Sequence, residues 1–166
     1  MQFSFMHMLY FLLPLYLTNS LAVIFGGKLP LDFNVKFIDE KPLLGKGKTW
    51  SGTIGAIVAT VFLCALISGF AENYFPNYIV VALFLSVGAI LGDIIESFIK
   101  RRLSIPPGKE LFPWDQLDFL IGGIIFGLNF YTPSIYEIIF MVLLTLILHR
   151  VANIIAFKLK LKKVPW

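Results

Sequence analysis

Five apolar runs, most of them long enough to cross a bilayer, leave this chain few ways to fold. A spanning helix needs roughly 20 mostly apolar residues. Inside lipid every backbone amide and carbonyl must be satisfied within the chain, which selects helices or closed barrels. Segments at about 5–25, 53–70, 78–99, 117–130 and 135–157 fit helices, the fourth being shorter and glycine-rich. Composition agrees: 58% of the residues are hydrophobic, 14% are charged, and the mean hydropathy is +0.83. A soluble domain of this size needs a far more charged surface. The expectation is an all-α polytopic membrane bundle of about five transmembrane helices, forming one domain over 1–166. The first ten residues hold no Lys or Arg, so the positive flank of a cleaved signal is missing and the first run reads as a retained helix.

The basic residues set the orientation. Lys28, Lys36, Lys41, Lys46 and Lys48 follow the first run, and Lys100, Arg101, Arg102 and Lys109 follow the third. Lys158, Lys160, Lys162 and Lys163 close the chain, whereas the links around Glu72 and Thr132 have no Lys or Arg. The positive-inside rule then puts the N-terminus outside and the C-terminus in the cytoplasm. Two large cytoplasmic loops result, about 26–52 and 100–116, both punctuated by Gly and Pro. The single cysteine, Cys64, has no partner for an internal disulfide, and His7 and His149 stand too far apart in sequence for the usual zinc spacing.

Acids inside apolar runs are costly and need a reason. Asp93, Glu96 and Lys100 fall at i, i+3 and i+7 of the third run, along one helical stripe. Helix-internal ion pairing explains Glu96 more readily than Asp93. Gly92 beside Asp93 permits close approach of another backbone or a ligand. Asp115 and Asp118 open the fourth run just after Pro113, one turn apart. Capping accounts for an acid at a helix start, but not for Asp118, which enters the span beside Phe119. Two carboxylates so spaced suit Mg2+, which takes one or two carboxylates plus substrate phosphates, with Asp93 as a third candidate ligand. Lys100, Arg101 and Arg102 alone would be an ordinary juxtamembrane anchor; near three carboxylates and Pro107-Gly108 they suit a phosphate clamp.

The first loop ends in Leu44-Gly45-Lys46-Gly47-Lys48-Thr49-Trp50-Ser51-Gly52. A Walker A loop would need Gly where Pro42 stands, so this is not a P-loop. Backbone amides, a Lys and a hydroxyl just before a helix still make a cradle for phosphate.

Taken together, these residues resemble a known family. Gly92-Asp93, Ser97, Lys100-Arg101-Arg102, Pro107-Gly108 and Asp115-x-x-Asp118 resemble the signature region of the phosphatidate cytidylyltransferases, and Lys48-Thr49-Trp50-x-Gly52 their second landmark. The short archaeal branch, the CDP-archaeol synthases, is the nearest match. It is also similar around Asn19, Gly26-Gly27, Pro30-Leu31-Asp32, and from Gly92 to Gly122. The bacterial enzymes carry a His-Gly-Gly stretch and a basic residue between the two aspartates. Lys109-Glu110-Leu111 and Gln116-Leu117 stand here instead, which moves weight onto carboxylates, Lys and Arg.

The resemblance implies transfer of CMP from CTP to 2,3-bis-O-(geranylgeranyl)-sn-glycerol 1-phosphate, giving CDP-archaeol and pyrophosphate. Asp93, Asp115 and Asp118 would hold Mg2+; Lys48, Lys100, Arg101 and Arg102 would neutralise phosphates; Thr49, Ser51, Pro107 and Gly108 would shape the nucleotide pocket. Asn19 would hydrogen-bond a phosphate or base, or serve as interhelical glue. The partners implied are CTP and a lipid phosphate from the bilayer, with no nucleic acid; a homodimer is compatible with the sequence but not required by it. The rival enzyme reading is a CTP-dependent polyprenol kinase. The rival from another class is a small ion transporter, disfavoured by the nearly all-apolar outer halves of the runs.

Overall fold

The computed structural model describes residues 5–158, which form α1 (Phe5–Ile24), α2 (Trp50–Leu66), a single turn α3 (Ser68–Ala71), α4 (Tyr78–Arg102), α5 (Trp114–Gly127) and α6 (Ile135–Lys158). Lys160, Lys162 and Lys163, expected in a basic tail, lie outside the described residues. Among the described residues extended pairing is limited to two isolated bridges, Pro30 with Thr49 and Lys36 with Pro42. The all-helical expectation therefore holds, with different lengths. Three helices, α1, α4 and α6, are long and apolar enough to cross a membrane. α2, at 17 residues, sits at the lower limit for a span of about 17. α5 has 14 residues, about 21 Å at the α-helical rise, against roughly 30 Å of hydrocarbon.

Local chemistry explains the boundaries. The second run was expected to start near 53, but Thr49 starts the helix earlier: its side chain accepts the Gly52 amide at 3.2 Å, and the Gly27 amide at 3.1 Å. Glu72 opens α4 by accepting the amides of Asn77 and Tyr78. α6 begins with a capping box, in which Glu137 accepts the Ser134 amide at 2.8 Å and the Ser134 hydroxyl accepts the Glu137 amide. Pro14 inside α1 has no N–H for the carbonyl of Tyr10, and the Tyr78 hydroxyl donates to that carbonyl at 2.7 Å. The core of Met8, Phe11, Leu15, Leu85, Phe119 and Leu120 joins α1, α4 and α5. α4 stands at the centre, packed on α5, α2 and α1.

The start of α2, the end of α4, the start of α5 and the segments 25–49 and 103–113 gather at one end of the bundle. Arg102 and Lys41 lock them together reciprocally. Arg102 bonds Asp39 at 2.8 Å and the Pro42 carbonyl, with its guanidinium over the rings of Phe37 and Phe98. Lys41 Nζ donates back to the Arg102 carbonyl at 3.0 Å and to Ser104 Oγ at 2.7 Å. The first loop is thus tied down over α4.

Candidate active site

Glycine makes the site. A Cβ on Gly92 would overlap the carbonyl oxygen of Asp118, one on Gly122 that of Gly88, and one on Gly88 that of Gly122. The backbones of α4 and α5 therefore cross in direct contact, as small residues allow in membrane helices. Asp93 follows Gly92, so this crossing sets it beside Asp118. Glu96 lies one turn further along α4. One oxygen from each of Asp93, Glu96 and Asp118 falls within 4.8 Å of the other two, and all three side chains are half-buried.

Two lysines balance part of this charge. Lys48 reaches from the first loop to Asp93 Oδ1 at 2.5 Å. Lys100, only 7% exposed, bridges Glu96 at 3.2 Å and Asp115 at 2.7 Å. A buried ammonium needs such partners. Glu96 Oε1 and Asp115 Oδ1 are both buried, with Glu96 Oε1 on Lys100 and the two carboxyls in contact with each other. Four carboxylates against two contacting lysines leave an excess of negative charge made only of hard oxygen donors, and three of the acids lie within reach of one ion. This donor set fits Mg2+.

A cleft of about 320 Å³ opens above the acids, a size suited to a small ligand. Lys48, Asp93, Lys100, Arg101, Pro107, Gly108, Asp115 and Asp118, all expected at the site, line it. Four other expected residues lie elsewhere. Thr49 is the cap of α2. Ser51 is exposed, with its hydroxyl where a side chain on Gly27 would go. Arg102 is spent on the Asp39 clamp. Asn19, half-buried on α1, is not among the residues around the cleft. Asp115, expected as a metal ligand, pairs with Lys100 and contacts Glu96, while the acids whose oxygens converge are Asp93, Glu96 and Asp118.

Residues missed from the sequence also line the cleft. Glu96 carried a signal, its i, i+3 spacing from Asp93. Lys46 and Gln116 sit beside recognised positions, and Ser97 belongs to the signature region without having been given a role. His149 and Asn153, one turn apart on α6 with Asn153 Nδ2 3.3 Å from His149 Nδ1, gave none, because their place depends on how α6 docks. A second, apolar cavity of about 470 Å³ runs between α4 and α5, lined by Ile95, Ile99, Trp114, Ile121 and Ile125. It shares Glu96 and Asp118 with the polar cleft.

Comparison with known proteins shows the family. Residues 1–166 match the model of the CarS-like family, described as CDP-archaeol synthase. The CDP-archaeol synthase of Methanocaldococcus jannaschii is 42% identical, over 95% of this chain and 95% of that protein. That of Methanospirillum hungatei is 39% identical over 93% of this chain and 100% of its own length. A solved structure of an intramembrane enzyme for archaeal membrane lipid biosynthesis superposes with a TM-score of 0.78 at 33% identity, covering 88% of this chain and 92% of that one. From its first helix to its last, the chain belongs to the CDP-archaeol synthase family.

Proposed function

We propose that the cleft transfers the cytidylyl group of CTP to 2,3-bis-O-(geranylgeranyl)-sn-glycerol 1-phosphate, releasing pyrophosphate and CDP-archaeol on the cytoplasmic side of the membrane. One observation carries the reading: Glu96 and Asp118 belong at once to a polar cleft and to an apolar groove between α4 and α5. A water-soluble triphosphate and a lipid phosphate can therefore meet at the same two side chains. An oxygen of the lipid phosphate attacks the α-phosphorus of CTP in line, and the bond from that phosphorus to the bridging oxygen breaks. The lipid phosphate is already ionised, so no strong base is needed; positioning and charge neutralisation carry such transfers.

The protein's residues divide this work. Lys48, Lys100 and Arg101 line the cleft and neutralise the phosphates. Asp115 holds Lys100 in place through the 2.7 Å ion pair. Ile95, Ile99, Ile121 and Ile125 take the prenyl chains. Asp93, Glu96 and Asp118 would hold Mg2+, which when bound would offset the charge of the triphosphate. The Lys-rich and Arg-rich segments at the cleft end support a cytoplasmic site.

The test is direct. Purified protein in detergent is given α-labelled CTP, Mg2+ and the ether-lipid phosphate. The expected products are a labelled CDP-lipid and pyrophosphate, with Asp118→Asn losing both while still eluting as folded protein. Formation of CDP and a newly phosphorylated lipid from an unphosphorylated prenol would instead establish a kinase.

A further inference from the structure

Asp32 is a buried acid that the chemistry above leaves without a task. It is 6% exposed, although the residues after it, 33–40, are all exposed. A buried carboxylate needs donors or a cation. Among the described residues no Lys or Arg pairs with it, and its donors are backbone amides: Asn34 at 3.0 Å to Oδ1, and Leu44 at 2.9 Å and Gly45 at 3.0 Å to Oδ2. Burial raises its carboxyl, but the amides of Gly45, Leu44 and Asn34 outweigh that and hold it below the usual carboxylate range.

This one side chain ties the beginning of the first loop to its end. A second tie follows: the Leu31 amide donates to the Lys48 carbonyl at 2.7 Å, and the Trp50 amide to the Leu29 carbonyl at 3.1 Å. Between the two ties the chain makes a tight turn. Gly45 sits at φ +93, where a side chain would be strained, and its carbonyl accepts the Lys48 amide. The amides of Lys46 and Gly47 donate to no acceptor among the described residues, and both residues line the cleft. Lys48 then crosses to Asp93. Unused amides followed by a lysine at the mouth of a polar cleft form a concave anion site.

We propose that Asp32 is a positioning residue for the nucleotide, holding the turn from Gly45 to Lys48 so that the Lys46 and Gly47 amides and the Lys48 ammonium take the terminal phosphates of CTP. The proposal rests on the cytidylyl-transfer reading and adds the part that orders its phosphate cradle. Asp32 touches no substrate. It acts by preorganisation, which lowers the ordering cost of binding.

Asp32→Asn tests it. An amide side chain keeps one acceptor oxygen and turns an NH2 toward amides that need an acceptor, so the turn loosens. KM for CTP should rise roughly tenfold or more, while kcat and KM for the lipid phosphate stay within about threefold. A merely structural role would lower the amount of active enzyme and move both KM values together or not at all; either result overturns the proposal. A measurement on the wild-type protein stands beside the variant, whether or not the variant folds. Adding CTP with Mg2+ and no lipid should slow hydrogen exchange at the amides of 44–48. Protection elsewhere in the cleft with this turn unchanged would overturn the proposal. Wild-type protein that makes no CDP-lipid would overturn the underlying reaction as well, whereas an active wild type with an unaffected Asp32→Asn overturns this inference alone.

Discussion

Replacing Gly92 by alanine probes the helix crossing on which the acid cluster depends. The added Cβ would lie against the Asp118 carbonyl, 2.8 Å from its carbon and 3.3 Å from the Gly122 Cα. Carbon atoms rest about 3.5–4.0 Å apart, so α4 and α5 must separate by roughly 1 Å. Neither neighbour is a flexible side chain; both are helix backbone. Overpacking of this kind costs about 1–3 kcal/mol in stability. The larger effect falls on the chemistry, because the same shift moves Asp118 away from Asp93 and Glu96. A misplacement near 1 Å costs about a hundredfold in rate. Gly92→Ala should therefore form CDP-lipid about a hundred times more slowly while most of the protein stays folded. The assay is the initial rate of label transfer from CTP to lipid, with the folded fraction followed by thermal unfolding in the same detergent. Gly69→Ala is the control: its Cβ meets nothing, and its rate should stay within about twofold of wild type with stability unchanged or slightly higher. A Gly92→Ala protein within about threefold of the wild-type rate would refute the claim that this crossing sets the acids in place.

Two further outcomes follow from the site and the loop. Glu96→Gln should raise the Mg2+ concentration for half-maximal rate about tenfold or more, while Asp115→Asn lowers the rate but leaves that concentration within about threefold, as a metal titration of each variant would read. Arg102→Ala removes the Asp39 pair and the stacking on Phe37 and Phe98, at about 1–2 kcal/mol. Limited proteolysis should then cut within 36–42 faster, and an unchanged cutting rate would count against the clamp.

Much of this was legible in one dimension. The apolar runs located the helices, because a 20-residue apolar stretch has almost no other use. That Asp93 and Asp118 belong to one acid cluster was legible, although spacing paired Asp118 with Asp115 and added Asp93 third. Which acid joins them was not. Asp115 and Asp118 lie one turn apart on α5, just as Asp93 and Glu96 do on α4, and spacing alone ranks them equally. The folded geometry decides: Lys100 pairs with both Glu96 and Asp115, and of these two only Glu96 also brings an oxygen within 4.8 Å of Asp93 and Asp118. Thr49, Ser51 and Arg102 show the opposite limit. Each is a residue type that binds phosphate, but Thr49 caps α2, Ser51 stands exposed in its first turn, and Arg102 pairs with Asp39. Asp32 could not be interpreted from the sequence at all, since its donors are backbone amides that only the folded loop brings to it.

Glu96 and Asp118 form a party wall between two rooms, one wet and one oily. Any change to either acid disturbs both tenants, so neither can be used to retune one substrate alone. On the proposed reading, the freedom to accept longer, shorter or more saturated tails would reside in the isoleucines of the far room. A member of this family adapted to a different membrane should therefore differ along Ile95, Ile99, Ile121 and Ile125 while keeping its acids.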